Sequence, residues 1–284
     1  MKKLVFLLAA MAAVCACTNE SEEMVNGQSL MVNDKAEVTL TFSPYEQEAM
    51  TRAATSVASV VTKLDVWIYE SGSEVASFQQ ESGQDGFGTL SVTLNKTKTY
   101  TLYAVGHRNS AGHATLANGI ISFADDKVSH SMFYSTTFTP SETTSLNCLM
   151  TRIVAQFQFK STDQCPDDVT KMTFTLNDVY DRWSVTDGAN HQLNRTSTFQ
   201  NFTKMNDGTV TFNIYAIVTD AQTTHDITVT AYDSEDNIKQ TRTFTDVPLR
   251  NGYKTSYKGV YFTDTPTAAT FTVDDWNEYD EVTF

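Results

Sequence analysis

Between Ala53 and Phe284 apolar side chains recur at every second residue in short runs, and no long stretch repeats them at helical spacing. In Leu64-Asp65-Val66-Trp67-Ile68-Tyr69, Leu64, Val66 and Ile68 share one face while Asp65, Trp67 and Tyr69 take the other. Leu90, Val92 and Leu94 repeat the pattern, as do Met172, Phe174 and Leu176, and the runs Val210–Tyr215 and Ile227–Tyr232. Only a pleated strand puts alternate residues on one face, so the spacing predicts an all-β chain, rich as it is in Thr, Val, Tyr and Phe. The runs return at intervals of roughly 10–15 residues with polar turns between them, which favours sandwiches over βαβ units. The 232 residues from Ala53 onward can bury one large core or two smaller ones.

Thr99–His107 reads as a central strand, apolar on both faces near its end. From Arg108 to Ser141 the alternation loosens, leaving room for a short helix or two. Pro140-Ser141-Glu142-Thr143-Thr144-Ser145 suggests a boundary, giving an N-terminal unit over 53–142 and a C-terminal unit over 143–284. Thr151–Phe159 reads as one strand, with Ile153, Ala155, Phe157 and Phe159 on one face. Such a strand would hold Cys148 and Cys165 roughly 25–30 Å apart, against the ~7 Å between Cα atoms that a disulfide tolerates. The two are expected to stay unpaired.

Ahead of this body lies a different kind of sequence. Met1-Lys2-Lys3 precedes a short apolar run, Leu4–Ala13, which is a secretory signal and too short to span a bilayer. It closes on Val14-Cys15-Ala16-Cys17, so residues 1–16 read as a leader and Cys17 as the lipid-bearing residue, with an ordinary secretory cut nearby as the alternative. Multiple acyl chains on Cys17 would anchor the chain to a membrane. Residues 17–52 form an acidic, polar tether holding one alternating strand, Val38-Thr39-Leu40-Thr41-Phe42. Seven acids face two bases between Thr18 and Arg52, so the net charge of −14 becomes −16 without the leader and −11 for a chain starting at Ala53. That acidity disfavours nucleic acid and anionic membrane surfaces as partners.

Taken in order, these features resemble the fimbrillins of Bacteroidetes, the FimA/Mfa-like pilus subunits. The matching pieces are the lipobox at Cys17, the strand Val38–Phe42 and Arg52 before Ala53-Ala54. The run Leu64–Tyr69, the opening Arg152-Ile153-Val154-Ala155 and the late segments Pro248–Asn251, Gly259–Phe262 and Phe271–Trp276 complete the set. The resemblance implies two tandem β-sandwich domains of transthyretin-like type, export as a surface lipoprotein, and cleavage between Arg52 and Ala53 by an arginine-specific protease. It also implies polymerisation by donor-strand exchange. Loss of the pro-strand (Val38, Leu40, Phe42) would open a groove that a neighbouring pilin subunit fills with a C-terminal strand. Two segments offer that strand here, one through Phe271 and Val273 and the other through Val282 and Phe284. Anchor and tip subunits share the fold, and some are not processed, so an unprocessed anchor is the alternative to a stalk subunit.

No enzyme signature is present: there is no G-x-S-x-G, H-E-x-x-H or P-loop pattern. His107 and His113 read as two surface-loop histidines, and Asp233-Ser234-Glu235-Asp236 and Asp274-Asp275 as solvated turns, so no metal or cofactor is called for. Trp67 and Trp276 sit in strand patterns. Trp183, in Asp181-Arg182-Trp183, is the tryptophan best placed to stack on a sugar in a non-polymerising glycan-binding lipoprotein. The expectation is a structural and adhesive fimbrial protein, meeting a host or bacterial surface glycan or protein.

Overall fold

Most of the alternating runs form strands in the computed structural model, which describes residues 22–25, 28–31, 34–44, 56–141, 144–263 and 270–275. A hairpin of β1 (Glu22–Val25) and β2 (Gln28–Met31) stands apart from the other sheets. Then come β3 (Lys35–Pro44), β4 (Lys63–Glu70), β5 (Ser73–Glu81), β6 (Thr89–Asn95) and β7 (Tyr100–His107). The loosely patterned stretch holds a small hairpin, β8 (Thr115–Ala117) and β9 (Ile120–Ser122), one 3-10 turn at Ala124–Asp126, and β10 (Ser131–Phe138). With β11 (Ser145–Arg152) the first sheet is complete, in the order β5-β4-β7-β10-β11-β3-β6.

This seven-stranded sheet closes on its own core. Val38, Leu40, Leu90, Val92, Leu64, Val66, Ile68 and Leu102 are buried in one cluster. Burying side chains of this size stabilises by about 1.5–3 kcal/mol each.

The second half runs β12 (Ala155–Ser161), β13 (Lys171–Ser184), β14 (Gly188–Gln200), β15 (Thr211–Ala216), β16 (Thr223–Tyr232), β17 (Ile238–Leu249), β18 (Tyr253–Gly259) and β19 (Phe271–Asp275). A four-stranded sheet, β15-β12-β18-β19, faces a sheet ordered β17-β16-β13-β9-β8, in which β14 lies on the other flank of β13. Phe159 is the hub of the core between them, with ring contacts to Phe174, Phe244, Tyr257 and Tyr261. The architecture is therefore all-β and sandwich-type, as the alternation required.

Two sequence expectations are corrected by strand membership. Thr151–Phe159 is not one strand: it breaks at Ile153-Val154, where the chain crosses from one sandwich to the other. Ile153 and Val154 plug a third apolar cluster with Trp67, Phe133 and Ile121, whereas Ala155, Phe157 and Phe159 enter the C-terminal core. The Pro140–Ser145 stretch does not divide the sheets either, because β11 follows it and still pairs with β10 and β3. Conversely β9, from the first half, pairs with β13 of the second. The polar stretch after Val179 first continues β13 to Ser184 and then forms β14 from Gly188, which can be polar because only one of its faces meets the core.

Cys148 and Cys165 are both free and lie in different cores, so the geometric premise of a single spanning strand was not what separates them.

Candidate functional site

The strand β3 is seated between two strands that come later in the chain. It runs parallel to β11 over Thr39–Pro44 and antiparallel to β6 over Lys35–Thr41. Val38 pairs across from Val92, Leu40 from both Leu90 and Leu146, and Phe42 from Cys148. Val38 and Leu40 are fully buried and Phe42 nearly so, while Glu37 and Thr41 point outward. The alternation read from the sequence thus fixes which face meets the core.

Two bonds to loop residues hold the strand as well. Thr39 N–H donates to the Thr144 carbonyl at 2.9 Å, and Phe42 N–H to Gly88 at 2.8 Å. Gly88 must be glycine for two reasons. Its φ is +85°, and a Cβ there would lie 2.5 Å from Val57 Cγ1. Gly88→Ala is therefore expected to cost about 1–3 kcal/mol, read as a lower midpoint in urea unfolding.

Among the described residues β6 pairs with no strand other than β3. Removing β3 would leave β6 unsupported, expose the edge of β11 and uncover an apolar slot. Cys148 lines that slot: burial drives its thiol up to about 12. Cys165, in the other core, is pushed up to about 11 by the same cause.

The candidate donor segment is held far more lightly. Phe271 is half-buried, its ring 6.0 Å from Phe244, and Val273 is exposed on the outermost strand of its sheet. Five residue pairs join β19 to β18. Cys17, Arg52, Ala53, Trp276, Val282 and Phe284 lie outside the described residues, with Arg52 and Ala53 in the connection from Pro44 to Ser56.

His107 is not a surface-loop residue, whereas His113 does lie in a loop, the one before β8, and is half-buried. His107 is fully buried and donates from Nε2 to Asp65 Oδ2 at 3.0 Å, while its Nδ1 accepts from Asn109 N–H, which fixes the tautomer. His113 donates from Nδ1 to the other Asp65 oxygen at 2.8 Å, and Ala114 N–H adds a third bond at 2.9 Å. Asp65 therefore fastens β4, β7 and the loop before β8. The signal in the sequence was an acid at a strand position whose neighbours are all apolar or aromatic. Among the described residues no group of three or more His, Cys, Asp or Glu is placed to hold a metal.

Trp67 is buried between the sandwiches, and Trp183 packs on Phe133 at 5.9 Å within β13, so these two make no exposed aromatic pair. Asp181 beside it is buried and accepts from His191 at 2.7 Å. Asp233 closes a turn, accepting from Glu235 and Asn237 N–H, and these bonds, with the Asn237 side chain first, hold its carboxyl below the usual range.

The profile of a family described as fimbrillin-A associated anchor proteins Mfa1 and Mfa2 matches residues 31–282. The chain belongs to that family. Membership gives it a fimbrial accessory or adhesin role at the cell surface, with other fimbrial subunits as partners, and the family is not one of enzymes.

The anchor-family fold is also met in solved structures. The chain is similar to a candidate polysaccharide-binding protein from Bacteroides thetaiotaomicron (TM-score 0.53, 9% identity, covering 85% of this chain and 96% of that one). It is similar to a candidate adhesin from Bacteroides ovatus (TM-score 0.52, 11% identity, 85% and 94% covered). A third likeness is to the fimbrial anchor protein Mfa2 from Porphyromonas gingivalis (TM-score 0.50, 12% identity, 85% and 98% covered). At such identities these likenesses speak to the fold. No curated protein matches the chain in sequence.

Proposed function

We propose that this anchor-family chain is a fimbrial subunit carried to the outer membrane by a lipid on Cys17, and that β3 is its exchangeable wall strand. The observation that carries the reading is the seat of β3: a strand from the N-terminal tether completes a sheet whose two flanking strands both follow it in sequence. An arginine-specific protease cutting between Arg52 and Ala53 would break the covalent link between β3 and the body. An extended strand from a neighbouring subunit could then enter with apolar side chains at alternate positions. The lightly held strand of Phe271 and Val273, or the tail of Val282 and Phe284, is the matching donor. One such head-to-tail contact, repeated, makes an open filament. The adhesion target is a host or bacterial surface glycan or protein.

The second reading keeps β3 in place. It is favoured by the anchor description of the family and by the complete burial of Val38 and Leu40. Here the chain would stay intact on its lipid and terminate the fimbrium at the membrane.

N-terminal sequencing and intact mass of protein sheared from its own cells separate the two. A start at Ala53, with ladders that survive mild heating in SDS, is expected of the exchanging subunit. A lipidated start at Cys17 with a single monomer band would overturn exchange and leave the anchor.

A further inference from the structure

We propose that the outer face of the C-terminal sandwich is a binding surface for a neutral polysaccharide, formed by two parallel ranks of threonine. This inference rests on the adhesive reading above, whose ligand class it names, and does not depend on the fate of β3. Across β14, β13, β16 and β17, Thr196 pairs with Thr175, Thr175 with Thr228, and Thr228 with Thr243. Two residues further along, Thr198, Thr173, Thr230 and Thr241 align in the same order. The opposite face of these strands carries Phe199, Phe174, Val229 and Phe244 to the core, so the threonines point away from it. All are exposed or half-exposed save Thr230, at 7%.

Three features set this face apart from an ordinary solvated sheet. First, it is uncharged. The chain as a whole carries −14, yet these eight positions hold no charge. Secondly, it is regular: adjacent strands lie about 4.8 Å apart and alternate residues roughly 7 Å apart, giving a lattice of hydroxyls and methyls.

Thirdly, it is rigid. A β-branched side chain has few rotamers to lose, and the hydroxyls are further set by one another. Thr175 and Thr196 are 2.7 Å apart, Thr228 and Thr243 3.0 Å, and Thr241 donates to Thr230 at 3.2 Å. Each hydroxyl pair uses one donor internally and leaves the second donor, with spare lone pairs, for a ligand.

A ligand that fits must be extended, repeating and uncharged, with both donors and acceptors and with C–H surface for the methyls. A neutral polysaccharide has all of these. The charges lie at the borders: at one end Tyr232, with Lys171 Nζ 4.2 Å from its ring, and the exposed Ile238 stand beside two ion pairs, Lys171–Asp236 and Lys239–Asp168, each of which balances its own charge. Asp226 and Asp246 stand at the other end, where they would repel an anionic polymer. Among the described residues β14 pairs with β13 alone, so the lattice ends there on an open strand edge.

The test is native affinity electrophoresis of the full chain in gels containing α-mannan, β-1,3-glucan or xyloglucan, with polygalacturonate as the acidic control. Retardation by at least one neutral polymer, and not by the acidic one, is expected. Replacing one rank (T175V, T196V, T228V and T243V together) should weaken that binding tenfold or more, whereas the same four changed to serine should retain most of it. Circular dichroism and thermal melting confirm that both variants are folded. Retardation by none of the three polymers, or equal retardation of the valine variant, would overturn the proposal. So would a valine variant that abolishes self-association in sedimentation and leaves polymer binding intact, since the face would then join copies of this chain.

Discussion

Stripping Lys35–Pro44 from the folded protein, after a cut between Pro44 and Ser56, uncovers Cys148 and leaves Cys165 masked. Both thiols are buried and poorly ionised in the intact chain, so neither should react with a thiol reagent over minutes at neutral pH. Cys148 lies across from Phe42, however, and Cys165 belongs to the other core. Loss of β3 removes three buried apolar side chains worth about 1.5–3 kcal/mol each. That is comparable with the whole stability of a domain, about 5–15 kcal/mol.

A chain without the strand should therefore fail to hold its N-terminal sandwich and should aggregate. A peptide of residues 34–45 added in trans should restore both solubility and Cys148 protection. Shifting the peptide's alternation by one residue would send its apolar row to solvent and abolish the rescue. Milder damage is graded: Leu40→Ala alone should cost about 2–5 kcal/mol. Intact mass after labelling gives the readout. Equal labelling of both cysteines, or of neither, would sink the idea that β3 seals one sandwich independently of the other.

Asp65→Ala carries the second largest expected effect, a loss of about 3–5 kcal/mol and a fall in Tm of roughly 10 °C. The carboxylate receives three bonds, from His107, His113 and Ala114, and has no access to water that could replace it. Asp65→Asn keeps the shape but turns an amide N–H toward a histidine N–H. His107 cannot flip its tautomer in reply, because Nδ1 is already engaged by Asn109. Asparagine should thus destabilise as well, though less than alanine. Thermal melting ranks the variants, and hydrogen exchange should rise first at residues 109–114. Equal melting of wild type and Asp65→Ala would remove the fastening role.

The strands were legible because a half-buried sheet writes its period into the sequence, and Val38-Thr39-Leu40-Thr41-Phe42 reads correctly even inside an acidic tether. What the period does not carry is pairing. β11 joins β3 across more than a hundred residues, and nothing local to Ser145–Arg152 announces it. Ile153 continues the alternation of Phe157 and Phe159 in sequence but serves a different core, because a crossing residue can be as apolar as a strand residue. His107 was misread because its partner, Asp65, is distant in the chain. The T-x-T pairs of β13, β14, β16 and β17 were each visible, but only the register aligns them into a lattice.

The direction of β3 has a mechanical consequence. In a chain held by its N-terminus, load passes the β1–β2 hairpin, enters the body at Lys35 and runs along the strand axis, with β11 parallel on one flank and β6 antiparallel on the other. Tension of that kind shears the two ladders, so their hydrogen bonds share the force instead of yielding one at a time as in peeling. Survival under pull is then governed by the rate of rupture and not by equilibrium stability. Since Arg52 follows β3, a cut there would leave the strand on the tether and the body beyond it. From that moment the shear strength of one ten-residue strand would be the whole connection between cell and subunit.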